Sequence, residues 1–380
     1  MTIILLIGLV ISLFLFALLL GKRNKVLSDR ILICMFAVYA LTIGGTYVEL
    51  YNVENDFPFP HLMNINWLFL LLHGPLLWFY VKSLTTPGFM VKSIHILHFA
   101  PFVLFSILQT FSFVSLPATE KILLLRSGEH VATLLAITGT MAVGISSIGY
   151  NIIALFLLKK HLRNIKNAFS NIEERDLGWL RTFVIASLLI FSVNVLLYNL
   201  NNFLGFAEYF ELAKIAYSFS TVYVLYIGYF GIRQGRIFAD SPTIGRDVPV
   251  VKVNHEESKE GDKRDFSQII RNLTRLMEHE QPYLDPELSL AKLSSLLKTK
   301  PEILSEVLNS SLNRNFFDYI NKHRIEEFKI KCLSREYSHL SIMGIAFECG
   351  FNSKAAFYRA FSKFEGMSPT AYMSRFSSGG

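Results

Sequence analysis

Long apolar stretches fill the first 232 residues of this chain and limit most strongly what it can fold into. Seven of them carry almost no formal charge in their interiors, at about 2–20, 31–51, 62–84, 94–116, 131–158, 182–204 and 211–232. Each reaches the roughly 20 residues that a helix needs to cross about 30 Å of hydrocarbon. The mean hydropathy of the 380-residue chain, +0.38, is unusually high for a soluble protein. The sequence therefore predicts a seven-helix transmembrane bundle over residues 1–232.

Basic residues in the loops predict the orientation of this bundle. Fourteen of them fall on one side: Lys22, Arg23, Lys25, Arg30, Lys82, Lys92, Lys159, Lys160, Arg163, Lys166, Arg175, Arg181, Arg233 and Arg236. The other side has only Lys121 and Arg126, with Lys214 just inside the last stretch. Because cytoplasmic loops are enriched in Lys and Arg, we expect the N-terminus outside and everything after residue 232 in the cytoplasm.

A cleaved signal peptide is the alternative interpretation of the first apolar stretch. A signal peptide begins with a basic region and ends at a small-residue cleavage site. Here the basic cluster follows the apolar run, and no clear cleavage site is present. We therefore expect the first stretch to remain as a membrane span.

The character of the sequence changes after residue 232. Residues 233–266 contain seven basic and seven acidic residues, with prolines and glycines, and are predicted to form a flexible cytoplasmic linker. Residues 267–380 have the size of one independent domain. Their net charge is only +3 of the total of +7, so the basic balance alone is no sign of nucleic-acid binding.

The three cysteines, Cys34, Cys332 and Cys349, form no metal-binding or disulfide spacing. We expect all three to be buried, reduced thiols, as is usual in a reducing compartment.

Helical periodicity in the last domain predicts two helix-turn-helix units joined by a long helix, so the whole chain is expected to be all-α. The first unit is placed at about 288–309, the linker helix at about 316–333 and the second unit at about 341–364. Ser341, and either Asn352 or Ser353, are suitable helix caps. Gly350 stands where a tight turn favours positive φ.

The second unit carries a set of residues in a recognisable order and spacing: Ile345, Ala346, Gly350, Phe351, Ser353, Phe357, Arg359, Phe361, Gly366, Ser368, Pro369 and Tyr372. In these positions the chain resembles the AraC/XylS-type DNA-binding domain over about 288–375. The resemblance implies a bacterial, sequence-specific transcription regulator whose two units enter successive major grooves of double-stranded DNA, one helical turn apart.

Residue roles in the second unit follow from this resemblance. Lys354, Ala355 and Arg359 correspond to base-reading positions, where arginine can grip guanine through two hydrogen bonds. Ser353 and Lys363 correspond to phosphate contacts. Tyr358 shares the same predicted face. A structural salt bridge is the alternative role for Arg359.

In the first unit the corresponding base-facing positions are Glu302, Ser305 and Glu306, with Lys300 beside them. The family often has arginine or glutamine there, so base reading by this unit is in doubt. Glutamate can accept a hydrogen bond from cytosine, and Lys300 can offset repulsion from phosphate. A solvated helix face is the alternative interpretation of both glutamates.

The membrane half is similar, more loosely, to the multi-span sensor regions found ahead of AraC-type domains in membrane-anchored regulators. The similarity rests on the stretches 71–84 and 95–102. His95 and His98 share a helix face that permits metal ligation, but no third ligand is evident, so no metal is expected. A ligand pocket opening outward near Glu49, Asn64, Asn66 and Asn201 is a further hypothesis.

The predicted function is a regulator in the bacterial inner membrane that couples an envelope or membrane signal, carried by lipid or an unknown small ligand, to gene expression. The alternative is a transporter or receptor whose C-terminal domain only tethers DNA. A proton-coupled transporter would carry a buried acid or base at mid-membrane, and none is clear. No acidic pair, nucleophile or metal triad indicates an enzyme, and no cofactor is expected. Homodimerisation is expected to strengthen DNA binding.

Overall fold

The structure is a computed structural model that describes residues 2–128, 133–173, 175–204, 218–219, 221–227, 229 and 266–377. The predicted all-α fold is confirmed, since the regular elements of the described part are helices. Its strand-like pairing is one isolated antiparallel bridge, between Phe169 and Ser289.

The described N-terminal part of the chain is helical, with five helices of 20 or more residues and two of 10 residues. Their bounds are α1 Thr2–Gly21, α2 Leu27–Glu54, α3 Asn66–Thr85, α4 Ala100–Gln109, α5 Ala118–Ser127, α6 Leu134–Ala168 and α7 Gly178–Leu204. A 3₁₀ segment, Ser93–Phe99, leads into α4, and a π-helical turn, Thr110–Val114, extends it. Apolar runs account for the lengths of α1, α2 and α3, and Pro75 is tolerated inside α3.

In the part of the chain that the structure describes, six segments are long and apolar enough to cross a membrane. They are Ile3–Gly21, Leu27–Glu54, Pro60–Thr85, Ser93–Val114, Leu134–Ala168 and Gly178–Tyr198. They overlap the first six predicted stretches. The seventh, 211–232, lies mostly outside the described residues, so the count of seven stays a prediction.

The chain divides into two compact units. The first takes in the described residues of Met1–Lys159 and Leu177–Arg246, and the second those of Lys160–Asp176 and Asp247–Gly380. The second unit therefore includes the end of α6 and the connection to α7, which lie far from the C-terminal domain in sequence.

One polar side chain of the first unit is buried among apolar helices. His73 lies inside α3 and is 5 % exposed. Its Nε2 lies 3.0 Å from Thr42 Oγ1, and its ring meets Tyr39 edge-on with centroids 4.5 Å apart.

The second unit contains shorter helices. They are α8 Ser267–His279, α9 Leu290–Leu296, α10 Pro301–Glu306, α11 Phe316–Leu333, α12 Ile342–Glu348, α13 Lys354–Glu365 and α14 Pro369–Ser377. A π-helical turn, Val307–Ser311, continues α10. The long helix α11 has the bounds expected for the linker helix, and the pairs α9–α10 and α12–α13 fall within the ranges expected for the two helix-turn-helix units.

Two apolar cores lie along α11. The N-terminal half of α11, with Phe316 and Ile320, packs with α8, α9 and α10. The C-terminal half, with Ile325 and Phe328, packs with α12 and α13. One continuous helix thus contributes to both cores, which makes it the element that joins the two helix-turn-helix units.

The three cysteines are free, but only Cys349 is buried. Cys332 is half-buried and Cys34 is exposed, so the expectation of burial is wrong for these two. Cys34 lies in α2, where an apolar sequence does not distinguish exposed positions from buried ones.

Candidate nucleic-acid interface

Helix α13 is delimited by two local signals in its sequence. Ser353 caps its N-terminus, where Oγ accepts a hydrogen bond from the backbone N–H of Ala356 at 3.0 Å. Gly366 ends the helix with φ +69°, a left-handed conformation that glycine adopts at little cost. Of the two caps considered from the sequence, Ser353 is therefore the one used.

Three aromatic contacts hold one face of α13 against the core. The ring of Phe357 lies 4.7 Å from Phe328 and 5.2 Å from Phe351, and Phe361 lies 5.6 Å from Phe328. Phe357 and Phe361 are fully buried. This packing determines which residues of α13 point away from the domain, because neighbouring positions on a helix are separated by about 100°.

The opposite face of α13 is exposed and carries the predicted DNA-facing residues. Lys354, Ala355, Arg359 and Lys363 are exposed, and Tyr358 is half-buried. The Lys354 ammonium lies 5.4 Å from the centre of the Tyr358 ring, in cation–π range. The structure thus brings these five residues together on one helix face.

Two of these cations are paired with acids. Arg359 Nη2 lies 2.9 Å from Glu173 Oε1, and Lys363 Nζ lies 2.6 Å from Asp318 Oδ2. The Arg359 and Lys363 side chains remain 64 % and 53 % exposed. Pairs at such exposure contribute little stability, so a phosphate or a base edge can replace the acids.

The turn before α13 depends on Gly350, whose φ of +86° confirms the expected positive value. A Cβ at this position would lie 2.6 Å from Tyr283 O and 2.8 Å from Leu284 O. Only glycine allows this approach between the α12–α13 turn and the segment before α9. The turn thereby sets the direction in which the chain enters α13.

A buried arginine on α11 supports the same region. Arg324, 2 % exposed, donates from Nε to Tyr283 O at 2.7 Å and from Nη2 to Asp285 O at 2.7 Å. Burial lowers the pKa of Arg324 to about 10, against the opposing effect of nearby Asp285 and Glu287. The guanidinium stays charged at neutral pH and its hydrogen bonds offset the cost of burial.

The first helix-turn-helix unit presents a different surface. Ser289 caps α9 by accepting from Lys292 N at 3.2 Å, and Pro301 occupies the first turn of α10. Lys300, Glu302 and Glu306 are exposed, as their predicted DNA-facing positions require. Two exposed acids on the second helix make its surface less favourable for phosphate than that of α13.

Ser305 departs from its predicted base-facing position. It is 2 % exposed, and Asn309 Nδ2 donates to its backbone oxygen at 2.8 Å. On α10 it lies on the core side with Leu304 and Leu308. A small hydroxyl fits either face of a short helix, which is why the periodicity of the sequence did not reveal its burial.

The candidate groups of the N-terminal apolar helices are largely bonded to their neighbours. Glu49 Oε1 accepts from Asn64 N at 2.7 Å, and Asn66 Nδ2 donates to Thr46 Oγ1 at 2.9 Å. The side chain of Asn201, the fourth residue of the hypothetical pocket, lies outside the described residues. The other three link α2 to the start of α3, which is a structural role.

His98 also has a partner other than a metal. Its Nδ1 lies 2.6 Å from the hydroxyl of Tyr150, and its ring is 6.2 Å from that of His95. Within the described ranges, no group of three or more metal-ligating side chains is present.

Three residues that contact or support this region were not found from the sequence: Glu173, which pairs with Arg359, and Ser170 and Arg324, which hydrogen-bond to each other. Ser170 and Glu173 lie in the loop after α6, more than a hundred residues before α13. Their position in a basic loop gave no sign of a contact with the C-terminal domain. Arg324 gave no sign either, because a basic residue on a helix is usually solvent-exposed.

Comparison with known proteins agrees with this geometry. A family model described as a helix-turn-helix domain, of the AraC type, matches residues 293–375. The matched residues run from within α9 to within α14 and contain α10, α11, α12 and α13. No curated protein and no solved structure gives a significant match to the chain. The C-terminal part is thus similar to DNA-binding regulatory domains.

Proposed function

We propose that the chain is a membrane-anchored, sequence-specific transcription regulator. Residues 1–232 form the multi-span region, 233–266 a cytoplasmic linker and 267–380 the DNA-binding domain. The N-terminus lies outside the bacterial inner membrane, and the C-terminal domain lies in the cytoplasm. The membrane region responds to a signal in the envelope or in the lipid, and the response alters transcription.

One observation carries this proposal: a helix with a cationic, exposed face and a fully apolar inner face, in a domain that an AraC-type family model matches. Six segments of the same chain suit a membrane by length and composition. A DNA-binding face and membrane spans in one polypeptide are most simply explained by a regulator that acts from the membrane.

In the proposed complex α13 enters the major groove. Arg359 donates two hydrogen bonds to a guanine edge, Lys354 contacts the adjacent bases and Ala355 lies against a thymine methyl. Ser353 and Lys363 contact phosphate and position the helix. Glu302 and Glu306 make the first unit the weaker reader, with Lys300 as its nearest phosphate contact.

Mapping the DNA sites bound by the intact protein in cells tests the base-reading role. Arg359→Ala should lose the defined sites, because a bidentate guanine contact contributes about 1–3 kcal/mol of discrimination. Arg275→Ala is the matched control, since it removes the same charge from an exposed position on α8. If the Arg359→Ala sites equal those of the wild type, Arg359 does not read bases.

Labelling of introduced cysteines tests the membrane orientation, in a Cys34→Ser, Cys332→Ser background that leaves buried Cys349 as the one native thiol. Glu120 and Arg163 are both exposed, the first in α5 and the second in α6. A membrane-impermeant maleimide should label Glu120→Cys in intact spheroplasts, and Arg163→Cys only after permeabilisation. Labelling of both positions before permeabilisation would contradict the proposed orientation.

A further inference from the structure

The connection from α6 to α7 is packed as a part of the second unit. We call residues 160–176 the α6–α7 segment. Phe169 forms an antiparallel bridge with Ser289, and the backbone N–H of Ser170 donates to Leu288 O at 3.2 Å. The Ser170 hydroxyl donates to the same oxygen at 2.7 Å. The segment is thereby paired with the chain that enters α9.

The linker helix α11 holds the segment at a second point. Arg324 Nη2 donates to Ser170 Oγ at 3.1 Å, and both side chains are about 2 % exposed. The Lys166 ammonium lies 5.7 Å from the centre of the Phe317 ring. The hydrogen bond between Arg324 and Ser170 is buried and directional, so the segment docks in one defined position. Releasing the segment would break this bond.

The segment also reaches the proposed DNA-reading helix. Glu173 Oε1 accepts from Arg359 Nη2 at 2.9 Å. A carboxylate and a guanine edge both use the two-pronged donor pattern of a guanidinium, so they compete for it. The only residue of α13 proposed to grip guanine is therefore held by an acid of the segment.

We propose that the α6–α7 segment competes with DNA for the second helix-turn-helix unit, and that its release raises the affinity of the domain for its site. The inference rests on the proposed function. The segment begins with the last residues of α6 and leads directly into α7, and both helices are candidate membrane spans. A signal that displaces either helix would therefore move Glu173 away from Arg359. This movement would couple the membrane region to DNA binding.

A disulfide across the bridge between Phe169 and Ser289 tests the competition. Opposed residues in an antiparallel pair have Cα atoms about 4.5–5.5 Å apart, within the range that a disulfide spans. The affinity of the full-length Phe169→Cys, Ser289→Cys protein, in lipid nanodiscs, is measured for a duplex taken from its mapped sites. Oxidation should weaken binding about 5-fold or more, within the usual range of coupling between sites, and reductant should restore it. The Phe169→Cys single variant is the control for oxidation itself.

A charge-neutral substitution tests the role of the carboxylate. Glu173→Gln should bind the duplex about 2- to 5-fold more tightly than the wild type, because an exposed ion pair contributes at most about 1 kcal/mol. Glu278→Gln removes the same charge from an exposed position on α8 and controls for the general attraction of DNA. Only the gain in duplex affinity of Glu173→Gln beyond that of Glu278→Gln is attributed to the release of Arg359.

Three results would overturn the inference: a disulfide that does not form, a disulfide that leaves duplex affinity unchanged, or equal affinities for the two glutamine variants. Failure of the proposed function has a different signature. In that case reduced wild-type protein would bind unrelated duplexes equally well while the disulfide still formed, and the inference would be overturned together with the function.

Discussion

Two glycines of the described DNA-binding domain have positive φ, Gly350 and Gly366. Replacement of Gly350 by alanine should destabilise the domain more than the same change at Gly366. The new Cβ would lie 2.6 Å from Tyr283 O, 2.8 Å from Leu284 O and 3.0 Å from Arg324 Nε. Two of these atoms are backbone oxygens, so relief requires moving the turn before α9. Tyr283 O also accepts the 2.7 Å hydrogen bond from Arg324, which such a movement would stretch.

Gly366→Ala separates the conformational cost from the steric cost. Both glycines have positive φ, +86° and +69°, but nothing lies within 4 Å of a Cβ at Gly366. The left-handed conformation should cost either variant about 1–2 kcal/mol. The clash should add about 1–3 kcal/mol for Gly350→Ala alone, as in an overpacked core. The expected difference corresponds to about a 5- to 150-fold change in the unfolding equilibrium constant.

Hydrogen exchange measured by mass spectrometry on the full-length protein in micelles provides the assay. Amides in the middle of α11, between the two cores, exchange only when the domain opens, so their rates report its stability. Protection should fall moderately in Gly366→Ala and much further in Gly350→Ala. Equal losses of protection, or a larger loss in Gly366→Ala, would refute the steric argument.

Three further changes test the domain. Arg324→Met should cost about 3 kcal/mol or more, measured by the same exchange method, because it leaves buried backbone and hydroxyl oxygens unpaired. Phe357→Ala should cost about 3–5 kcal/mol, since the ring is fully buried, and should also abolish duplex binding. Burial, with Lys322 and Arg314, lowers the pKa of His323. Below about pH 6.5, His323 binds a proton in the unfolded chain more readily than in the folded domain, so the free energy of unfolding should fall as the pH falls. His323→Gln should make this pH dependence weaker.

Local sequence rules were sufficient for the elements of the C-terminal domain. Ser341 and Ser353 cap their helices through backbone hydrogen bonds, and Gly350 and Gly366 adopt positive φ. Each of these features depends on residues a few positions apart, so it is visible in the sequence. The apolar runs likewise predict long helices, because their length and composition leave few other ways to satisfy the backbone in lipid.

The burial of individual polar residues was harder to predict from the sequence. Ser305 and Arg324 lie on helices whose periodicity fits either a core or a surface position, and both are buried. His73 is similarly buried in a helix with apolar residues on every side. For Arg324 and His73, burial depends on hydrogen-bond partners that distant segments supply, and a helical pattern carries no record of those segments.

The sequence alone thus determined the all-α class, the apolar helices and the face of α13 that carries Arg359. Only the tertiary structure decided that Glu173, Ser170 and Arg324 meet around that domain. Helix formation and capping depend on neighbours within one or two turns, which the order of residues specifies directly. The contact between Glu173 and Arg359 joins positions 186 residues apart, and it exists only because the α6–α7 segment packs with the C-terminal domain in the second unit.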